Sequence, residues 1–225
     1  MNKSIKPPAD SSSLIEVALF PIPNVVAFPG TNLPLHVFEP RYRQLVNDCV
    51  NENRMVGVSH VIKTIHQPKQ SQTPEEALRS NQATYKPRTV FSAGYCEIIE
   101  TLPDGRIIAN VLMSQRLTLI EELQSLPYRI VSCTPMEDDD DPAAAVDNGD
   151  LQHSINTRLI ELVGTQNPEM VRELQDPVWT ELAPSEYSFK IFQLLRFDAD
   201  IMQGILEAQS TNARLAMTWE LLRAG

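Results

Sequence analysis

At 225 residues, with 42% apolar and 21% charged side chains, the chain is long enough for one large domain or two small ones with a real core. Its 29 acids against 19 bases leave a formal net charge of -10, which opposes docking on the phosphate backbones of DNA and RNA or on anionic membranes. No run approaches the roughly 18 apolar residues that span a bilayer, and no apolar stretch follows Lys3 and Lys6 to form a signal peptide.

Residues 1–13 are polar and expected to fray. From Leu14 to Met136 the signals are mostly those of strands. Val17–Phe20 and Val25–Phe28 are short apolar runs punctuated by proline, and Pro29-Gly30 fits a turn whose third position needs a positive φ. Leu33–Val37 reads as the next strand. Pro40 then sits at the first position of a helix, with Glu39 near the positive end of its dipole. Tyr42, Leu45, Val46 and Cys49 follow at i, i+3, i+4 and i+7, one face of that helix.

Met55–Ile62 is a β-branched run and a candidate central strand. Gln67–Pro87 is polar, read as a surface loop with one helical turn at Pro74–Leu78. Strands resume at Thr89–Glu100, and Pro103-Asp104-Gly105 turns into Ile107–Met113. Arg116–Ile120 and Tyr128–Cys133 complete the set, which predicts a strongly curved sheet or small barrel. The five acids Glu137 to Asp141, followed by Pro142, repel one another and predict a solvated linker over 137–150. A Ca2+ site is the sharper reading of that run, but the alternating ligands and closing Glu of a calcium loop are missing.

Past Asp150 the period is helical. Leu151, Ile155, Leu159 and Leu162 share a face. Asn167-Pro168 and Asp176-Pro177 are cap-and-proline helix boundaries, and Phe189, Phe192 and Leu195 continue the pattern. Asp200 and Thr211 are the caps read for the last two helices, the second burying Leu215, Trp219 and Leu222. The reading is therefore an α+β chain: a β-rich part over 14–136, a linker over 137–150 and a helical bundle over 151–225.

The run from Phe20 to Arg43 carries Pro29, Gly30, Glu39, Arg41 and Tyr42 in a specific order of strand, Pro-Gly turn, strand and proline-led helix. It resembles the amino-terminal substrate-recognition domain of the Lon protease in its free-standing form. Three further blocks are similar to that family. Gly94 to Ile99 leads to the hairpin Leu102-Pro103-Asp104-Gly105-Arg106; Arg116 opens an alternating strand; Pro127-Tyr128-Arg129 leads another. The helical tail around Asp198 to Glu207 and Arg214-Leu215 is similar to the bundle closing that domain. One departure is Ser114, where the family usually has glycine two residues before the basic position. The resemblance implies a six-stranded pseudo-barrel of PUA-like type joined to a helical bundle, in a domain that recognises unfolded or tagged proteins.

Candidates for chemistry have weak support. None of the eight glycines precedes a lysine, so a phosphate-binding Gly-x-x-x-x-Gly-Lys loop is impossible in this sequence. Ser92-Ala93-Gly94 matches three residues around the nucleophilic serine of Lon's peptidase domain, but without the preceding Asp-Gly-Pro or a matching lysine. Gly57-Val58-Ser59-His60-Val61 is half a nucleophile elbow, with Val61 where glycine is needed. His36, His60, His66 and His153 show no metal-ligand spacing, and no cofactor is implied. Cys49, Cys96 and Cys133 lack a Cys-x-x-Cys pair and predict buried free thiols in a reducing cytoplasm.

Glu39, Arg41 and Arg43 form a charged cluster at the helix start. The structural reading, that Glu39 pairs with an arginine such as Arg116, outweighs a partner-binding one. Phe28, Pro29 and Trp179 lie in proline-rounded segments and are the candidates for gripping hydrophobic polypeptide segments, although core packing is the weightier role for both aromatics. The leading reading is a non-catalytic cytoplasmic module that binds polypeptides, as an adaptor or in quality control. The alternative is a small-molecule or enzymatic role in a barrel–bundle cleft. RNA binding would rest on the PUA-like analogy alone, against the acidic charge.

Overall fold

In the computed structural model, which describes residues 14–66, 84–164 and 166–224, eight strands and one helix precede the bundle. They are β1 (Ile15–Pro21), β2 (Asn32–Val37), α1 (Pro40–Glu52), β3 (Val56–Ser59), β4 (Val61–His66), β5 (Thr84–Pro87), β6 (Val90–Thr101), β7 (Ile107–Gln124) and β8 (Arg129–Pro135). Then follow α2 (Ala145–Val163), α3 (Pro168–Leu174), α4 (Pro177–Thr180), α5 (Pro184–Lys190), α6 (Ala199–Glu207) and α7 (Thr211–Ala224). The expected helical turn at Pro74–Leu78 and the amino-terminal segment 1–13 lie outside the described residues.

The sheet runs β2-β7-β6-β3-β1-β8, and β7 also pairs with β8. Five strands therefore close into a ring, and β2 is added to it through β7. Strand β7 makes this possible by its length. Residues 107–112 pair with β2 and residues 117–124 with β8, while β6 runs along 107–118. The expected break between Met113 and Arg116 is not a break. Ser114-Gln115 stay in the strand, with Ser114 as the unpaired residue of a bulge facing Ala93/Gly94, and Ser114 Oγ donates to the Ala93 carbonyl at 3.2 Å. At Gly94 a Cβ would lie 1.8 Å from the Leu112 carbonyl oxygen, so glycine alone admits this approach.

Successive residues of β1 serve two cores. Val17 and Leu19 join Phe91, Leu117 and Val131. Ala18 joins the cluster that α1 covers with Tyr42, Leu45, Val46 and Cys49, the predicted helix face. The strand expected over Met55–Ile62 is divided at His60 into β3 and β4.

Val25–Phe28 is not a strand. Pro23-Asn24 turn sharply, with Asn24 at φ 59, and the segment crosses to the bundle. Its polar backbone groups find other partners: Asn24 N–H donates to His60 Nδ1 at 3.1 Å, and Ala27 C=O accepts from Ser92 Oγ at 2.7 Å. Phe28 then stacks on Phe192, with centroids 4.3 Å apart, inside the bundle's core.

The acidic run differs from the solvated linker expected. Asp138 takes two hydrogen bonds of 2.6 Å from Arg214 and a shorter one from Arg116. Asp140 accepts from the Thr211 N–H and hydroxyl at 2.6 and 2.9 Å, and Asp141 accepts from the Ala143 N–H at 2.8 Å. The mutual repulsion of the acids is offset by arginines and backbone dipoles brought from far along the chain. A 3-10 turn at Pro142–Ala144 follows, so the helical part begins inside the segment read as linker. Asn167 and Asp176 cap α3 and α4 as read, but Asp198, not Asp200, caps α6. Ser210 Oγ, not Thr211, accepts the Ala213 N–H at the start of α7. In α2, Ile155 and Leu159 point inward while Leu162 is exposed.

Candidate functional site: a trough along β2

Strand β2 pairs with β7 on one edge, and among the described strands it has no partner on the other. Pro34, which has no N–H to give, fits such an edge. Leu33, Leu35 and Val37 turn toward the α1-covered core, while Asn32, Pro34 and His36 are exposed.

Beside β2 lies a hollow of about 360 Å³, walled by Phe20, Ile22, Pro23 and Val25 from β1 and the turn that follows it. Val25 and Leu33 also line a second hollow of about 380 Å³, so the two adjoin. The second is floored by Phe28, Phe192, Phe197 and Met202 and rimmed by Asn24, Asn32 and Arg196. Together they form a trough from the start of α1 to the margin of the bundle. The first hollow is mainly apolar, whereas the second sets its aromatic floor among polar groups. Arg196 is exposed at the rim and forms no ion pair within the described residues.

At the α1 end, Glu39 pairs with Arg41 at 2.9 Å, and the Arg41 guanidinium lies 4.5 Å from the Tyr42 ring centroid. Burial pushes the Tyr42 hydroxyl up to about 12, so it is neutral at physiological pH. The expected Glu39–Arg116 pair is therefore not formed. Arg116 instead donates to the Leu206 and Ala208 carbonyls and to Asp138. It ties β7 to the bundle, not to α1.

The structure separates the three residues read as gripping substrate. Phe28 is 2% exposed and Trp179 3%, so the core role applies to both, and neither offers a free aromatic face. Phe28 contributes to the trough only as floor. Pro29 is half-buried beside Gly30, whose φ of +76 makes the expected turn. Trp179 belongs to the bundle, edge-on to Tyr187 at 6.3 Å. The hairpin residues behave as read. Gly105 takes φ +85, and Asp104 accepts the Arg106 N–H at 3.1 Å, which holds its carboxyl below the usual range.

No nucleophile is assembled at the serines singled out. Ser92 Oγ is committed to the Ala27 carbonyl, and Ser59 Oγ to the His60 and Arg88 carbonyls at 2.8 and 3.0 Å. His60 Nδ1 accepts the Asn24 N–H, so its ring is turned away from that hydroxyl's role. Among the described residues, no three His, Cys, Asp or Glu side chains are grouped to hold a metal ion. No helix there is long and apolar enough to cross a membrane. Sequence reasoning missed Ile22, Val25 and Arg196. Pro34 within Leu33–Val37 was the available sign of an edge strand.

A ring of five strands with one added edge strand is thus followed by a helical bundle. The model of the ATP-dependent protease La (LON) substrate-binding domain matches residues 16–224. This chain belongs to that family. It is 24% identical over 207 residues to Lon protease 1 of Herpetosiphon aurantiacus, covering 92% of this chain and 24% of that protein. The chain thus spans about a quarter of that relative's length. Its fold is similar to the N-terminal domain of the Mycobacterium avium complex Lon protease, with a TM-score of 0.65 and 12% identity, covering 92% of this chain and 98% of that one. It is likewise similar to a Lon N-terminal domain protein from Xanthomonas campestris, with a TM-score of 0.55 and 18% identity, covering 92% and 97%.

Proposed function

We propose that this chain is a non-catalytic polypeptide-binding module that takes extended, apolar segments as an added strand along β2. The observation that carries the reading is the free edge of β2 lying beside a mainly apolar hollow and a second one with an aromatic floor. Main-chain hydrogen bonds to that edge give affinity without regard to sequence, and alternate side chains of the guest enter the two hollows. Each apolar side chain so buried contributes about 1.5–3 kcal/mol, less the cost of ordering the guest. Micromolar or weaker binding follows, suited to transient capture. Membership in a substrate-binding family supports a role in presenting unfolded or tagged proteins, in quality control or as an adaptor. The acidic surface favours proteins over nucleic acids as partners.

The test is fluorescence anisotropy with a labelled apolar hexapeptide and the same peptide N-methylated at alternate residues. The parent should bind, N-methylation on the β2-facing residues should abolish binding, and Ile22→Ser with Val25→Ser should weaken it at least fivefold. Equal binding of parent and N-methylated peptides would sink strand addition. No binding by any apolar peptide would sink the polypeptide-binding reading itself.

A further inference from the structure

The second hollow of the trough, beside the start of β2, differs from the first in its charge. Among the described residues, Arg196 is the one charged side chain that lines it, and it forms no ion pair or hydrogen bond there. The acids nearest to it in sequence are already engaged. Asp198 accepts the Asp200 N–H at 2.9 Å, and Asp200 pairs with Arg88. In a chain of 29 acids and 19 bases, Arg196 thus lines the hollow with no carboxylate of its own.

The polar groups at the rim lean the same way. The Thr31 hydroxyl is committed to the Phe28 carbonyl at 2.7 Å. Asn32 Oδ1 accepts from Asn110 Nδ2 at 3.3 Å, which leaves the Asn32 Nδ2 as a donor. Arg196 can only donate. A rim with N–H donors, one positive charge and no acid suits an anion. Below it, Val25, Leu33 and Phe197 are half-buried apolar surface.

Position along β2 gives that anion a direction. Gln193 Nε2 donates to the Gly30 carbonyl at 3.3 Å. This holds the Ile191–Gln193 turn, and Arg196 just beyond it, beside the residues that enter β2 at Asn32. The first hollow follows β2 from Leu33 to Val37, with no lysine or arginine in its described lining. The cation therefore lies at the amino-terminal end of the strand. A guest antiparallel to β2, the slightly more stable pairing, points its carboxy terminus to that end. There the trough stops against Phe192 and Met202 of the bundle, so a guest that terminates needs no path onward.

Resting on the strand-addition reading above, we propose that the trough selects the free carboxy-terminal tail of a polypeptide with an apolar last residue. The tail pairs antiparallel to β2, its terminal carboxylate meets Arg196, and its last side chain packs on Val25, Leu33 and Phe197.

The test is fluorescence anisotropy of the full chain with an apolar hexapeptide ending in phenylalanine, labelled at its amino terminus, as free acid and as carboxamide. The free acid should bind about fivefold tighter in low salt, the scale of a carboxylate paired with an arginine still partly in water, and high salt should narrow the gap. The net charge of -10 pushes the other way, so a preference for the acid reports a local cation. Arg196→Gln should bring the acid down to the affinity of the amide with Tm unchanged. Extending the peptide beyond its phenylalanine should have the same effect as the amide. Equal binding of acid and amide, a preference that survives Arg196→Gln, or one that salt does not move would overturn this proposal and leave strand addition standing. The salt series decides even if Arg196→Gln folds poorly. No binding of either peptide would sink the polypeptide-binding reading and this proposal together. If N-acetylphenylalanine displaces the probe as well as the unlabelled hexapeptide does, the occupant is a small aromatic acid and the proposal is equally overturned.

Discussion

Replacing Asp138 with asparagine should be among the most damaging single changes on this surface, although the residue belongs to a run of acids. Arg214 is 0% exposed and Arg116 4% exposed. Both cations sit against the same Phe189 ring, with guanidinium carbons 4.0 and 5.0 Å from its centroid. Asp138 is the carboxylate that faces both. Burial already pulls the Arg116 guanidinium below its ordinary value, with Asp138 opposing the shift. Asp138→Asn keeps the shape and removes the charge, leaving two buried cations side by side. Breaking a buried pair in this way costs about 3–5 kcal/mol. For a chain of this size each kcal/mol moves Tm by about 2–4 °C, so a fall of about 6–20 °C is expected. The assay is equilibrium urea unfolding of the wild type, Asp138→Asn and Asp139→Asn. Asp139 forms no ion pair within the described residues, and its change should stay within about 0.5 kcal/mol. The double variant Asp138→Asn with Arg214→Met should lose less than the sum of the two, because it leaves one fewer uncompensated cation. A loss for Asp138→Asn no larger than that for Asp139→Asn would refute the claim that this carboxylate ties β7 to α7.

Gly94→Ala should cost at least about 3 kcal/mol, because its Cβ meets backbone at 1.8 Å, whereas Gly30→Ala, strained but in open space, should cost about 1–2 kcal/mol; denaturant midpoints compare them. Phe28→Ala and Trp179→Ala should each cost about 3–5 kcal/mol as core truncations. Phe28→Leu should leave peptide affinity within twofold, and a large selective loss there would restore Phe28 as a contact residue. Burial pushes the Cys49 and Cys133 thiols from 9.0 up to about 12, and Cys96 up to about 11. Because folding favours the protonated thiols, the stability they contribute is intact below pH 9 and is lost as pH rises from there through 11 and 12. Urea midpoints measured from pH 8 to 11 should therefore fall above pH 9, and Ellman's reagent at pH 8 should reach Cys49 and Cys133 only on unfolding.

Where the deciding interactions are local, the sequence reads well. Helix α1 is announced by Pro40 and by four apolar residues at helical spacing, and it buries those four. The Pro103-Asp104-Gly105 turn is announced by the one residue type that accepts φ +85 without strain. Each failure has a partner far along the chain. Val25–Phe28 looks like a strand because a short apolar run carries no period, and its Ala27 carbonyl is met by a serine 65 residues away. The acids at 137–141 look solvated because the repulsion is visible, while Arg116 and Arg214 lie 22 and 76 residues from Asp138.

The same distinction explains why the trough was not legible. Composition shows how many apolar residues there are but not which remain uncovered, and Val25 and Phe28 differ in this although only three positions apart. What separates them is Asn24, whose left-handed φ of 59 turns the chain off the barrel. Val25 is left at the wall of the trough, and Phe28 is carried on into the bundle against Phe192. Asparagine tolerates that conformation better than most residues, and its N–H is secured by His60. The binding face thus follows from where one irregular segment leaves β1, and from β2 being joined to the ring on a single edge. Both are consequences of pairing across the whole chain, beyond the reach of any local pattern of hydrophobicity.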